Sequence, residues 1–111
     1  MEQRNIQTKQ GTVYYWVSGN WAPERDTLVF LHGLTGDHTM FAPQLAYFQG
    51  DYNLVTWDAP AHGASRPWAE FSYPHAVEAL HAILDAQQIR SAVLPAIFLS
   101  KHSRHEDTPV P

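Results

Sequence analysis

The chain has no cysteine, which excludes a disulfide framework and thiolate chemistry and fits a reducing compartment. It also lacks any apolar run near the ~20 residues that a spanning helix needs, for its longest, Ala92 to Leu99, is interrupted by Pro95. Met1 to Thr12 is polar, without the apolar centre of a secretory signal. Basic residues are scarce, 7 Lys and Arg against 11 Asp and Glu, and a net charge of -4 argues against nucleic acid or an anionic membrane as partner. Glycine is scarce as well, with 6 in all and none after Gly63. No internal repeat or low-complexity segment interrupts the chain. These absences predict a soluble cytoplasmic protein, and 111 residues leave room for one domain at most.

What is present is globular in character, with 44% hydrophobic and 16% charged residues, four tryptophans, and five each of tyrosine and phenylalanine for a core. Thr12 to Ser18 is rich in β-branched and aromatic residues and reads as a strand, paired with Asn5 to Lys9 through a turn at Gln10-Gly11. Thr27 to Leu31 and Tyr52 to Trp57 are continuous apolar runs of strand length, as expected for strands buried on both faces. Between them Phe41, Leu45 and Phe48 are spaced for a helix over Met40 to Phe48, with Gly50 as a left-handed cap. Ser72 and Pro74 open a second helix to about Gln88, with Val77, Leu80 and Leu84 as its apolar face and Ala76 and Ile83 alongside. Ser91 to Leu94 starts a third apolar run. Strand, helix, strand, helix, strand predicts a parallel α/β sheet with right-handed crossovers. The composition changes at Leu94/Pro95, and residues 95–111 hold three prolines, two histidines and no sustained period.

Two stretches carry chemistry. One is Leu28 to Leu31 followed by His32-Gly33-Leu34-Thr35-Gly36, and the other is Asp58-Ala59-Pro60-Ala61-His62-Gly63-Ala64-Ser65 after the next strand. Each has a bland reading: His-Gly ends many turns, His62 can stabilise its own loop, and Asp58 can cap the following turn. Their order and spacing raise the joint reading.

Together, over residues 10–94, they resemble the amino-terminal part of the α/β-hydrolase family. The resemblance implies an α/β fold in which a hairpin precedes parallel strands with crossover helices, here incomplete. It implies that the backbone N–H of Leu34 is an oxyanion-hole donor, a fixed dipole worth about 3–4 kcal/mol in comparable enzymes. It makes His32, Gly33, Gly36, Asp58, Pro60, His62, Gly63 and Ser65 structural parts of the site, with no cofactor and a small-molecule acyl substrate in the parent family. At Ala61 the family usually has glycine, and alanine at a turn of positive φ costs about 1 kcal/mol.

The catalytic residues themselves are missing. The family's next strand ends in a G-x-S-x-G turn, and no glycine follows Gly63. Where that turn is due the chain reads Pro95-Ala96-Ile97-Phe98-Leu99-Ser100-Lys101, and Pro95 resists a central strand. No later residues supply the triad acid and histidine, since His102 and His105 sit in a polar tail. The expectation is therefore a partial hydrolase domain over 1–94, an unrelated disordered tail over 95–111, and no activity by the family mechanism. A frame shift at Leu94 would produce this pattern. Losing a full fifth strand would leave Leu28 to Leu31 as an apolar edge prone to aggregation. The alternative function is a non-catalytic module completed by a partner chain, or by self-association, through strand addition. A zinc site on His102-x-x-His105 with Glu106 and Asp107 needs an ordered scaffold, so no metal is expected. Membrane binding is not expected either, because the second helix has no lysine or arginine on its polar face.

Overall fold

A computed structural model describes residues 1–32, 36–97 and 108–109, the stretches 93–97 and 108–109 by backbone alone. The elements run β1 (Glu2–Gln7), β2 (Thr12–Val17), β3 (Thr27–Leu31), a 3-10 turn (His38–Phe41), α1 (Ala42–Phe48), β4 (Asn53–Trp57), α2 (Tyr73–Ala86), β5 (Val93–Ile97) and β6 (Thr108–Pro109). They build one sheet in the order β1-β2-β4-β3-β5-β6. β3 lies parallel to both β4 and β5, while β1–β2, β2–β4 and β5–β6 pair antiparallel.

The apolar runs form the centre because every residue of β3 and β4 is buried. Phe30, Leu28 and Leu54 face Phe41, Leu45 and Phe48 on one side of the sheet. On the other side Val13, Tyr15, Val17, Val29, Leu31, Val55 and Trp57 pack against α2. Burying each such aliphatic or phenyl side chain contributes about 1.5–3 kcal/mol. The chain steps from β3 to β4 on one side and then returns past β3 to β5. The direction therefore switches about β3, and open α/β sheets bind ligands beyond the carboxyl ends of the strands at such a switch.

The helices depart from expectation in two ways. α2 begins as foreseen, with the Ser72 hydroxyl accepting from the His75 amide and proline in the first turn. Its buried face, however, is Ala76, Ala79, Ile83 and Leu84, and Val77 is 48% exposed. Two alanines let the helix axis lie close to the sheet, which rotates the apolar stripe away from Val77. Gly50 is not among the residues of positive φ, and α1 ends on Gln49 in right-handed geometry; the left-handed position falls after α2, at Gln88 (φ 56°).

The strand expectation also changes at Pro95. β5 runs through it and covers β3, so Leu28 to Leu31 is not an edge. The ladder accommodates the proline by a register shift. From Leu28↔Val93 to Phe30↔Ala96, β3 advances two residues and β5 three. A bulge of this kind places an extra residue outside the ladder, which is where a residue without an N–H is tolerated.

Candidate active site

His32 directly follows β3 with a fully buried ring, whose Nε2 accepts the amide of Ala59 at 2.9 Å. That nitrogen therefore carries the lone pair. The ring also lies 5.2 Å from that of His62. The two stretches read separately in the sequence thus meet in space.

Asp58 follows β4 and organises the loop after it. Its carbonyl accepts the Ser65 hydroxyl at 2.6 Å, and Ser65 Oγ in turn accepts the Tyr14 amide of β2 at 2.9 Å. Its Oδ2 accepts the Ala64 amide at 2.7 Å. Within the loop the His62 amide donates to the Ala59 carbonyl (2.8 Å), the Ser65 amide to the His62 carbonyl (2.8 Å), and the Ala61 amide to the Ser65 carbonyl (3.1 Å). His62 Nδ1 donates to the Pro60 carbonyl at 2.9 Å, the loop-stabilising contact of the bland reading. Ala61 adopts φ 72° and Gly63 φ 47°. The position where the family has glycine is thus left-handed, and alanine there costs about 1–2 kcal/mol. A Cβ on Gly63 would overlap the Asp58 carboxylate, so glycine is required there on two counts.

A residue outside both motifs completes the site. Asp58 Oδ1 accepts the His38 amide at 2.7 Å and lies 2.8 Å from His38 Nδ1. The Asp58 side chain is 1% exposed and that of His38 is 32% exposed. The His38 ring stacks on Trp16 of β2 with centroids 3.6 Å apart and planes 13° from parallel. Sequence reasoning missed His38 because no spacing rule joins position 38 to position 58. The one local signal is Asp37, an N-cap whose carboxylate accepts from the Thr39 amide (2.9 Å) and hydroxyl (2.5 Å). Those two bonds hold the Asp37 carboxyl below its usual range.

Asp37, His38 and Asp58 each bring one metal-ligating atom within 4.8 Å of the others. The geometry between His38 Nδ1 and Asp58 Oδ1 is that of a hydrogen bond, so these two atoms satisfy each other. Of the other expected site residues, Gly36 is half-buried beside this cluster and Pro60 is buried in the loop. Gly33 and Leu34, with the expected oxyanion donor, lie outside the described residues, as do Ser100, His102, His105, Glu106 and Asp107.

The fold is shared with solved hydrolases. A hydrolase from Pseudomonas aeruginosa PA01 superposes with a TM-score of 0.71 at 23% identity, over 83% of this chain and 35% of its own. The chain has the amino-terminal part of the α/β-hydrolase fold. The enol-lactonase from Burkholderia xenovorans LB400 matches at a TM-score of 0.71 and 18% identity, over 82% of this chain and 35% of its own. An N-acyl homoserine lactonase, AidH, complexed with N-butanoyl homoserine, matches at a TM-score of 0.71 and 22% identity, over 85% and 35%. Among curated proteins, 3-oxoadipate enol-lactonase 1 of Acinetobacter baylyi is 35% identical over 65 residues, 59% of this chain and 24% of its own length. No protein-family model matches the chain. The chain thus spans about a quarter of that curated relative and 35% of the three solved hydrolases. Among the described residues no helix is long and apolar enough to cross a membrane.

Proposed function

We propose that the chain supplies the amino-terminal part of a serine hydrolase of the ester- and lactone-cleaving kind, and that it does not hydrolyse substrate by that family's mechanism on its own. The observation that carries this reading is the Asp58 carboxylate. It joins the turn after β3 to the loop after β4 at the end of the sheet where the fold binds ligands. The lactonase relatives favour a cyclic or linear ester as the parent substrate. Leu34, through its backbone N–H, is the oxyanion donor in this reading.

A fluorophosphonate probe, which labels activated serines, tests the inactive half of the claim, because this chain should remain unlabelled. Sequencing the coding region past the codon for Leu94 tests the other half. An in-frame or single-base-shifted G-x-S-x-G, followed by an aspartate and a histidine, is expected. Labelling of this chain, or a downstream region without those residues, would sink the proposal.

A second reading is favoured by one observation. β6, a strand of two residues, ends the sheet in strand order, so that edge is a place where a further strand can add. A partner strand, or a second copy, would complete it by strand addition. Light scattering of the purified chain distinguishes the readings, because a defined hetero-complex or dimer supports the second and a monomer removes it.

A further inference from the structure

We propose that His38 and Asp58 form an oriented imidazole–carboxylate pair that takes a proton from water and hydrolyses small activated esters. This goes beyond the reading above, because it uses neither a serine nucleophile nor any residue outside the described ones.

A general base needs one ring nitrogen open to the reacting water and the other held so that the lone pair stays on the open side. Asp58 meets the second need. It presents acceptors to the His38 amide and His38 Nδ1 on Oδ1, and to the Ala64 amide on Oδ2. An acceptor facing Nδ1 places the proton there and the lone pair on Nε2. Nε2 has no hydrogen-bond partner among the described residues, and the side chain is 32% exposed. Stacking on Trp16 fixes the plane of the ring, so the lone pair points in a set direction. The charged groups facing the ring are the carboxylates of Asp37, on its own turn, and Asp58, at the end of β4; Trp16 on β2 is uncharged.

In the reaction a water O–H proton passes to Nε2 while the water oxygen bonds to the ester carbonyl carbon. The tetrahedral adduct collapses by breaking the bond to the leaving oxygen, which departs as a phenolate. Nε2 then returns its proton to solvent.

The test uses the full chain and 4-nitrophenyl acetate, following the chain-dependent rate of 4-nitrophenolate release at neutral pH. His38→Gln keeps a side-chain N–H for Asp58 but cannot take the proton, so it should lower that rate about tenfold or more, against the 10²–10⁴ typical of general bases. His81→Gln, at an exposed position of α2, should leave it unchanged. No chain-dependent rate, or an equal rate in folded His38→Gln, overturns the proposal. So does an equal loss in both variants. If His38→Gln does not fold, the ring nitrogens of the unsubstituted protein decide by NMR: a proton on Nδ1 supports the pair, and a proton on Nε2 in neutral His38 overturns it. The probe experiment reads a serine, so its failure and the failure of this proposal are distinguishable.

Discussion

β4 carries a buried polar hub at each end, and the two are built from different chemistry. At its start Asn53 is 2% exposed. Its Oδ1 accepts the Ala22 amide at 2.9 Å, and its Nδ2 donates to the Ala22 carbonyl at 2.6 Å and the Arg25 carbonyl at 3.3 Å. At its finish Asp58 takes only donors, on both carboxylate oxygens. The amide satisfies a loop that offers both donors and acceptors, and every one of its bonds goes to backbone. The carboxylate ties two loops and holds one imidazole whose far nitrogen has no partner among the described residues. An amide hub closes a structure, whereas a charged hub with an exposed histidine leaves a group free to react.

Exchanging the two side chains is the sharpest way to break this comparison. In Asp58→Asn an NH₂ group must face N–H donors that the carboxylate accepted. We expect a loss of about 3 kcal/mol or more in urea unfolding, because buried N–H donors lose a carboxylate acceptor and meet an NH₂ group instead. Asn53→Asp places a carboxylate oxygen against the Ala22 and Arg25 carbonyls and should cost about 2–3 kcal/mol, the penalty of unmatched buried polar atoms. If Asn53→Asp costs as much as Asp58→Asn, the charge at position 58 is not what distinguishes the hubs.

The glycine beside the charged hub comes next in size. Gly63→Ala combines φ 47° with overlap on the carboxylate, and we expect about 2–3 kcal/mol lost in the same measurement. A neutral outcome would show that the loop shifts away from Asp58 at no cost. Ala61→Gly runs the other way and should stabilise by about 1 kcal/mol, because φ 72° suits glycine better than alanine.

The smallest effect is the pH response of Asp37. Its carboxyl is held below its usual range by the Thr39 hydroxyl and amide. The folded state therefore binds this proton less readily than the unfolded chain. Stability from this cap is fully present above the unfolded carboxylate range and falls away as pH drops through the lowered folded value. Asp37→Asn should flatten that acid limb in thermal melts while leaving the neutral-pH response unchanged.

Much of the fold was legible because its signals are local. The runs Thr27 to Leu31 and Tyr52 to Trp57 and the Ser72 cap with Pro74 follow from residue type and neighbours alone, whereas the left-handed turn at Ala61 was legible only through the family resemblance. The face of α2 was not, because how close Ala76 and Ala79 let the helix approach depends on the sheet beneath it. Nor was the passage of β5 through Pro95, since a bulge is a property of two paired strands. In the site, Asp58, His62 and Ser65 could be named from the motif. The His38–Asp58 and Ser65–Tyr14 contacts could not, because they join residues 20 and 51 positions apart.

The first hairpin is also seated against the loop region that follows β4. Gly11 lies so close to Pro67 and Trp68 that a Cβ would come within 2.7 Å of the Pro67 carbonyl. The Ala69 amide donates to the Gln10 carbonyl and the Asp58 amide to that of Tyr14. The hairpin, although farthest from β3 in strand order, thus forms the back wall of the site. Its opening would release residues 58–69 together, so their amides should exchange with deuterium as a single cooperative unit with those of β2.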